Sequence, residues 1–233
     1  VSTTAIDTSG SPTEVPYFII LDEGYVQTAS GDIFSSSGQD LYRLDADGVF
    51  VETTDERDGP FESVNDGELI ETSAQRLLRV THVSSADGDV EIRGQFYNRS
   101  GDAIGGELLI ADNLDFVTGH WDVEVTELTD GRFAVAYAAA RPGDEDERES
   151  TVFLTILNAN GTVAVPEQIV NTGEADGAQE WVKVWPLNNG GVAVTFGTEV
   201  GFTPRESINV RFFDDMGVEF DAYQLEGRNG RDN

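Results

Sequence analysis

Apolar and polar positions alternate with a period of two along most of this chain, and glycine-bearing turns interrupt the alternation at regular steps. The clearest stretch runs from Trp121 to Thr172. It reads L-T-D-G-R-F-A-V-A-Y over Leu128–Tyr137, then an acidic tip over 142–149, then T-V-F-L-T-I-L-N-A-N-G-T-V over Thr151–Val163, then E-Q-I-V-N-T over Glu167–Thr172. In the first run Phe133, Val135 and Tyr137 share one side of an extended chain, and Ala134, Ala136 and Ala138 share the other. Val182, Val184 and Leu187 behave in the same way, as do Val192, Val194 and Phe196. Both sides are apolar here, which predicts strands covered on both faces. Helical spacing with caps is absent, so each such stretch is read as a sheet of short antiparallel strands.

The pattern recurs. Aligning the second turn of each stretch on Gly48, Gly101, Gly161 and Gly217 gives steps of 53, 60 and 56 residues. Each of these glycines closes a turn that carries Asp or Asn between two apolar runs, chemistry that suits the left-handed backbone of a tight reversal. An earlier turn is read at Leu21–Val26, Leu128–Phe133 and Leu187–Val192, whereas the second unit has S-A-Q-R-L-L-R-V (Ser73–Val80) with no glycine. A fixed period of this size predicts a repeat architecture. The expectation is an all-β fold of four repeats, about four antiparallel strands each, arranged like a β-propeller, with a β-sandwich as the alternative. Units are placed at about 17–60, 61–115, 116–172 and 173–227, after a lead-in over 1–16 that could supply a closing strand, and before a polar tail over 228–233.

These residues resemble a known family. L-x-D-G-x-F-x-V-x-Y, an acidic tip, and F-x-x-x-x-L-N-A-N-G-x-V-x-x-P-E-x-x-V-N-T look like the blade-type repeats of large secreted bacterial proteins of the hemolysin-type calcium-binding (RTX) group. The resemblance is strongest over 121–172, good over 181–226, partial over 17–53 and weak over 61–112. It implies a propeller-like module on an extracellular or cell-surface protein. Leu225–Asn233 adds one incomplete glycine- and aspartate-bearing segment similar to the calcium-binding repeats of that group.

Charge narrows the partners. With 44 acidic and 14 basic side chains the net charge is -30, so nucleic acid and anionic membranes are repelled, while a saline or marine setting is suited. No cysteine is present, and no apolar run approaches the ~20 residues of a membrane span, so membrane insertion is not expected. The chain starts at Val1 with no signal peptide and is read as a processed product or a fragment.

Two sets of side chains carry candidate chemistry. Asp45 and Asp47 in one turn, and Asp144 and Asp146 in the acidic tip, place carboxylates close enough to hold calcium, although neither stretch fits the EF-hand loop. Trp121, Trp181 and Trp185 offer faces on which sugar rings could stack, while their recurrence in successive units favours packing between sheets. His82 and His120 lie in separate units with no nucleophile motif beside them. The function expected on this reading is a non-catalytic structural or adhesive module, calcium-stabilised, with glycans or cell-surface proteins as partners. The alternatives are a glycan-binding, lectin-like propeller, which needs an aromatic site per repeat, and a glycoside hydrolase, which needs two converging carboxylates.

Overall fold

The computed structural model describes residues 25–37, 40–45, 47, 50–51, 61–85, 90–114, 123–140, 150–172, 179–199 and 206–226. Sixteen strands form four antiparallel meanders, and no helix occurs among the described residues. Sheet 1 holds β1 (Tyr25–Gln27), β2 (Ile33–Ser37), β3 (Asp40–Leu44) and β4 (Phe50–Val51). Sheet 2 holds β5 (Phe61–Glu71), β6 (Leu77–Ser85), β7 (Val90–Tyr97) and β8 (Ala103–Leu114). Sheet 3 holds β9 (Val123–Glu127), β10 (Phe133–Ala139), β11 (Thr151–Leu157) and β12 (Val163–Ile169). Sheet 4 holds β13 (Gln179–Pro186), β14 (Val192–Glu199), β15 (Glu206–Phe213) and β16 (Glu219–Glu226), all from one unit; the lead-in over 1–16 lies outside the described residues.

Seven described corners share one turn. In each, the first residue donates its N–H to the carbonyl four residues on, and the fourth donates back to the carbonyl of the first. The first turns of the sheets occupy 28–32, 72–76, 128–132 and 187–191; second turns occupy 98–102, 158–162 and 214–218. The fourth residue is left-handed every time, and it is Gly31, Gly101, Gly131, Gly161, Gly190 and Gly217 in six of the seven. The equivalence expected for Gly161 and Gly217 therefore holds. Two expected corners are corrected. Sheet 1 turns at Thr28–Asp32, not at Leu21–Val26, because the strand opened by Tyr25 runs on to Gln27. Sheet 2 closes without glycine, since Gln75 takes the left-handed position at φ 59°, and Thr72 Oγ1 accepts the Arg76 N–H to hold it there.

The sheets stack in chain order, with the first strand of each beside the first strand of the next: β1 by β5, β5 by β9, β9 by β13. Each sheet thus has a leading face toward its predecessor and a trailing face toward its successor. On β10 the period-two pattern sorts accordingly. Phe133, Val135 and Tyr137 lead, and join Leu78, Val80, Ile92 and Phe96 of sheet 2. Ala134, Ala136 and Ala138 trail, and meet Val182, Val184, Val194 and Phe196 of sheet 4. Phe34 and Leu41 of sheet 1 meet Leu69, Leu77 and Tyr97 of sheet 2 in a third cluster. Small residues on one face and large ones on the other let neighbouring sheets interlock, and each large side chain so buried stabilises the fold by about 1.5–3 kcal/mol.

Polar latches repeat between sheets at the turn edge. Glu71, the last residue of β5, accepts the Ala29 N–H at 2.8 Å, and Glu127, the last of β9, accepts the Ser73 N–H at 2.5 Å. Arg76 reaches the Ala159 carbonyl at 3.0 Å, and Arg132 reaches that of Asp215 at 2.7 Å. Each spans from a first turn to the second turn of the next sheet. With 44 acids against 14 basic groups such latches operate inside a repulsive field. Raising sodium chloride from about 10 mM to about 0.3 M shortens the screening length from ~30 Å to under 10 Å. Scanning calorimetry should show the melting temperature rising across that range; a flat profile would mean the charges are already balanced locally.

Candidate functional site

The strand order gives the array two unlike edges. All seven tight turns lie on one. On the other lie the strand ends flanking residues 52–60, 86–89, 115–122, 140–150, 173–178 and 200–205. These connections carry much of the chain's acid, including Asp87, Asp89, Asp122, Asp144, Asp146 and Asp176.

Beneath the connection edge, on the inner strands, the repeat brings three charged side chains to one level. Glu68 on β5 pairs with Val80, Glu124 on β9 with Ala136, and Lys183 on β13 with Thr195. Each stands four residues before a first turn, so the three are equivalent positions in consecutive sheets, on the trailing face of the innermost strand. Lys183, the single lysine of the chain, donates to the Glu124 carboxylate. The Glu124 side chain is 15% exposed and that of Lys183 is 55% exposed, so the pair sits at the boundary between interior and solvent. The ammonium compensates a half-sheltered carboxylate, and the neighbouring sheet supplies a second carboxylate from the same register. Both carboxylates are held by rigid inner strands one sheet apart, Glu68 on the face of sheet 2 toward sheet 3 and Glu124 on the face of sheet 3 toward sheet 4, where Lys183 meets it.

A buried polar chain fixes the same edge between sheets 3 and 4. Ser150 Oγ donates to the Gln179 carbonyl and accepts the Gln179 N–H, both at 2.7 Å. Thr198 Oγ1 donates to Gln179 Oε1 and accepts from Asn209 Nδ2, both at 2.8 Å. All four residues are buried, and hydrogen bonds made in a dry setting rigidify what they join, although Asn209 Oδ1 has no hydrogen-bond partner. On β10, Tyr137 donates its hydroxyl to Glu167 of β12, and its ring stacks on Phe153 with centroids 5.4 Å apart. His82 of β6 is fully buried, and burial pushes its imidazole down to about 3, so it is neutral across the physiological range.

The residues singled out from sequence fare differently. Asp45 Oδ1 accepts the Asp47 N–H at 3.0 Å, the bond of an ordinary aspartate turn. Among the described residues no three His, Cys, Asp or Glu side chains gather as a metal site. Asp144, Asp146, Trp121 and His120 lie outside the described residues. Trp181 and Trp185 are described and stand more than half exposed, which corrects the expectation that they pack between sheets. Trp181 occupies a bulge in β13 at φ 52°. Sequence reasoning missed the Glu68–Glu124–Lys183 row. Its signal was a lone lysine at the repeat position where neighbouring units carry glutamate.

No protein-family profile matches the sequence, and no curated protein does. Solved structures do match the fold. A protein of unknown function from Dyadobacter fermentans superposes with a TM-score of 0.58 at 12% identity, over 88% of this chain; the chain spans 63% of that protein. A thermostable family-43 glycoside hydrolase gives 0.53 at 9% identity, over 89% of this chain and 71% of its own. A family-43 enzyme from Xanthomonas citri gives 0.50 at 13% identity, over 81% and 69%. These findings overturn the expectation of a non-catalytic structural or adhesive module, and with it the expectation that the chain is no enzyme. The architecture is one on which glycoside hydrolases are built. No helix among the described residues is long and apolar enough to cross a membrane. The fold is therefore an all-β, propeller-like stack of four-stranded sheets, shared with family-43 glycoside hydrolases.

Proposed function

We propose that this chain is an extracellular carbohydrate-active enzyme that cleaves glycosidic bonds, using carboxylates on its inner strands. The observation that carries this reading is the register of Glu68 and Glu124, which places two carboxylates at equivalent inner-strand positions of neighbouring sheets, with Lys183 bonded to Glu124. Glycoside hydrolysis needs such a pair. One carboxyl protonates the leaving oxygen, and the other activates water or attacks the sugar, through an oxocarbenium-like transition state. Glu124, which accepts from the Lys183 ammonium, is the carboxylate we assign to the base or nucleophile role, and Glu68 is its partner in the pair. The likeness of the fold to family-43 enzymes supports the class of chemistry.

Reducing-sugar release from a panel of plant and microbial polysaccharides, with aryl glycosides as chromogenic probes, tests this. The wild type should release sugar from at least one member. Glu124→Gln and Glu68→Gln should each lower kcat by about 10²–10⁴-fold, the usual worth of a positioned acid or base, with melting temperatures close to wild type. No product from any substrate, or full rates in both variants, would rule the proposal out.

A further inference from the structure

Sheet 4 has a trailing face that no described sheet covers. Register places Trp185, Ala193, Val210, Phe212, Ile208, Tyr223 and Leu225 on it. Ile208 is 50% exposed, Tyr223 56% and Leu225 59%. In the sheets before it the same position is sealed: Ile92 and Val152, the equivalents of Ile208, are fully buried. The Phe212 ring meets those of Phe220 and Tyr223 at centroid distances of 6.1 and 5.8 Å, so the patch is an ordered aromatic surface. A contiguous apolar face of this kind marks a protein contact.

Sheet 1 shows the complementary defect. Tyr25 on its leading face is 67% exposed and Ile33 is 36% exposed. Their equivalents are buried at each internal junction: Leu69, Val125 and Val184 for Tyr25, and Leu77, Phe133 and Val192 for Ile33. Every internal junction sets a leading face on a trailing face, and each end of the stack keeps one half of such a junction.

We propose that a second copy of this chain docks head to tail, with the leading face of its sheet 1 on the trailing face of sheet 4. The occupant is a second copy because the molecule itself carries the matching half, with the side chains at Tyr25 and Ile33 standing at the positions that fill every internal junction. The contact uses two different surfaces, so it is heterologous: two copies can close through both junctions, or further copies can add. The charge of -30 per copy opposes association, so the interface tightens as salt screens it.

Sedimentation velocity on the full chain at about 100 µM in about 0.3 M sodium chloride reads the outcome. The expected result is a species of at least twice the 25.3 kDa chain mass. Ile208→Asp, which spoils the trailing face, and Tyr25→Asp, which spoils the leading face, should each give monomer, with unchanged circular dichroism because both positions are exposed. Mixing the two variants should restore a dimer, since one keeps a good leading face and the other a good trailing face. A wild-type monomer under these conditions would overturn the proposal. So would a Tyr25→Asp chain that still dimerises, because the trailing faces would then be pairing with each other.

Discussion

Acidification should weaken the fold through a single side chain. His82 is fully buried and titrates in the folded protein at about 3, against an ordinary value of 6.5, because burial disfavours its charged form. An unfolded histidine takes up its proton below about 6.5, whereas the folded one refuses it down to about 3. Stability from this group is therefore complete above about 6.5 and is lost as the pH falls toward 3, at about 1.4 kcal/mol per pH unit. Protonation of the many carboxylates acts over part of the same range, so the wild type alone does not isolate the effect. The comparison is with His82→Leu, whose side chain suits the apolar surroundings set by Leu78 and Val80 on the same face. Unfolding free energies from urea titrations of both chains at pH 6.5 and 4.5 should differ in their pH response by about 2.3 kcal/mol, the wild type losing more. Parallel pH profiles would mean that His82 is protonated in the folded state.

Three glycine-to-alanine changes should separate close approach from backbone conformation. A Cβ on Gly67 of β5 would stand 2.3 Å from the Val80 carbonyl oxygen, and one on Gly191 would stand 2.2 Å from that of Phe213. Both clashes are with backbone, which cannot rotate away, and neither glycine is left-handed. Overpacking of this kind should cost about 3 kcal/mol and lower the melting temperature by about 6–12 °C in a chain of this size. Gly131 is the counterpart. Its φ is +83° and nothing lies within 4 Å of its missing Cβ, so Gly131→Ala should cost only the left-handed penalty of about 1–2 kcal/mol. Differential scanning calorimetry ranks the three. A Gly131→Ala variant less stable than Gly67→Ala would show that turn conformation, not strand approach, limits the fold.

The turns explain how much of this was legible in the sequence. Asp or Asn ahead of Gly marked the corners at Gly101, Gly131, Gly161, Gly190 and Gly217, because local chemistry alone specifies them. Gln75 carries no such mark: a residue with a Cβ in the left-handed region needs support from its surroundings, here the Thr72 hydroxyl and the two backbone bonds that close the turn. In the first unit two glycines that could close a turn lie seven residues apart in the sequence, Gly24 and Gly31. Asp22 marks the first and no Asp or Asn marks the second, and only the pairing of β1 with β2 shows that Gly31 closes the hairpin. The glycine-free corner also hid the charged row, since Glu68 lines up with Glu124 and Lys183 only when counted back from the turn at 72–76. The tryptophans misled for a different reason. Trp181 and Trp185 occupy strand positions that a following sheet would cover, and burial depends on that neighbour rather than on the residue.

The contrast between the two edges also decides where this protein can accept new sequence. On the turn edge each corner has five residues, and one more would flip every following side chain to the opposite face. On the other edge, hairpins at equivalent places are joined by residues 38–39, 86–89, 140–150 and 200–205, from two residues to eleven, with the flanking strands still paired in the same way. Length there is a free variable. Peptides, affinity tags or whole loops inserted between Ala140 and Ser150 leave strand register and the Ser150–Gln179 bonds untouched, so segments on one side can be exchanged while the frame is inherited unchanged.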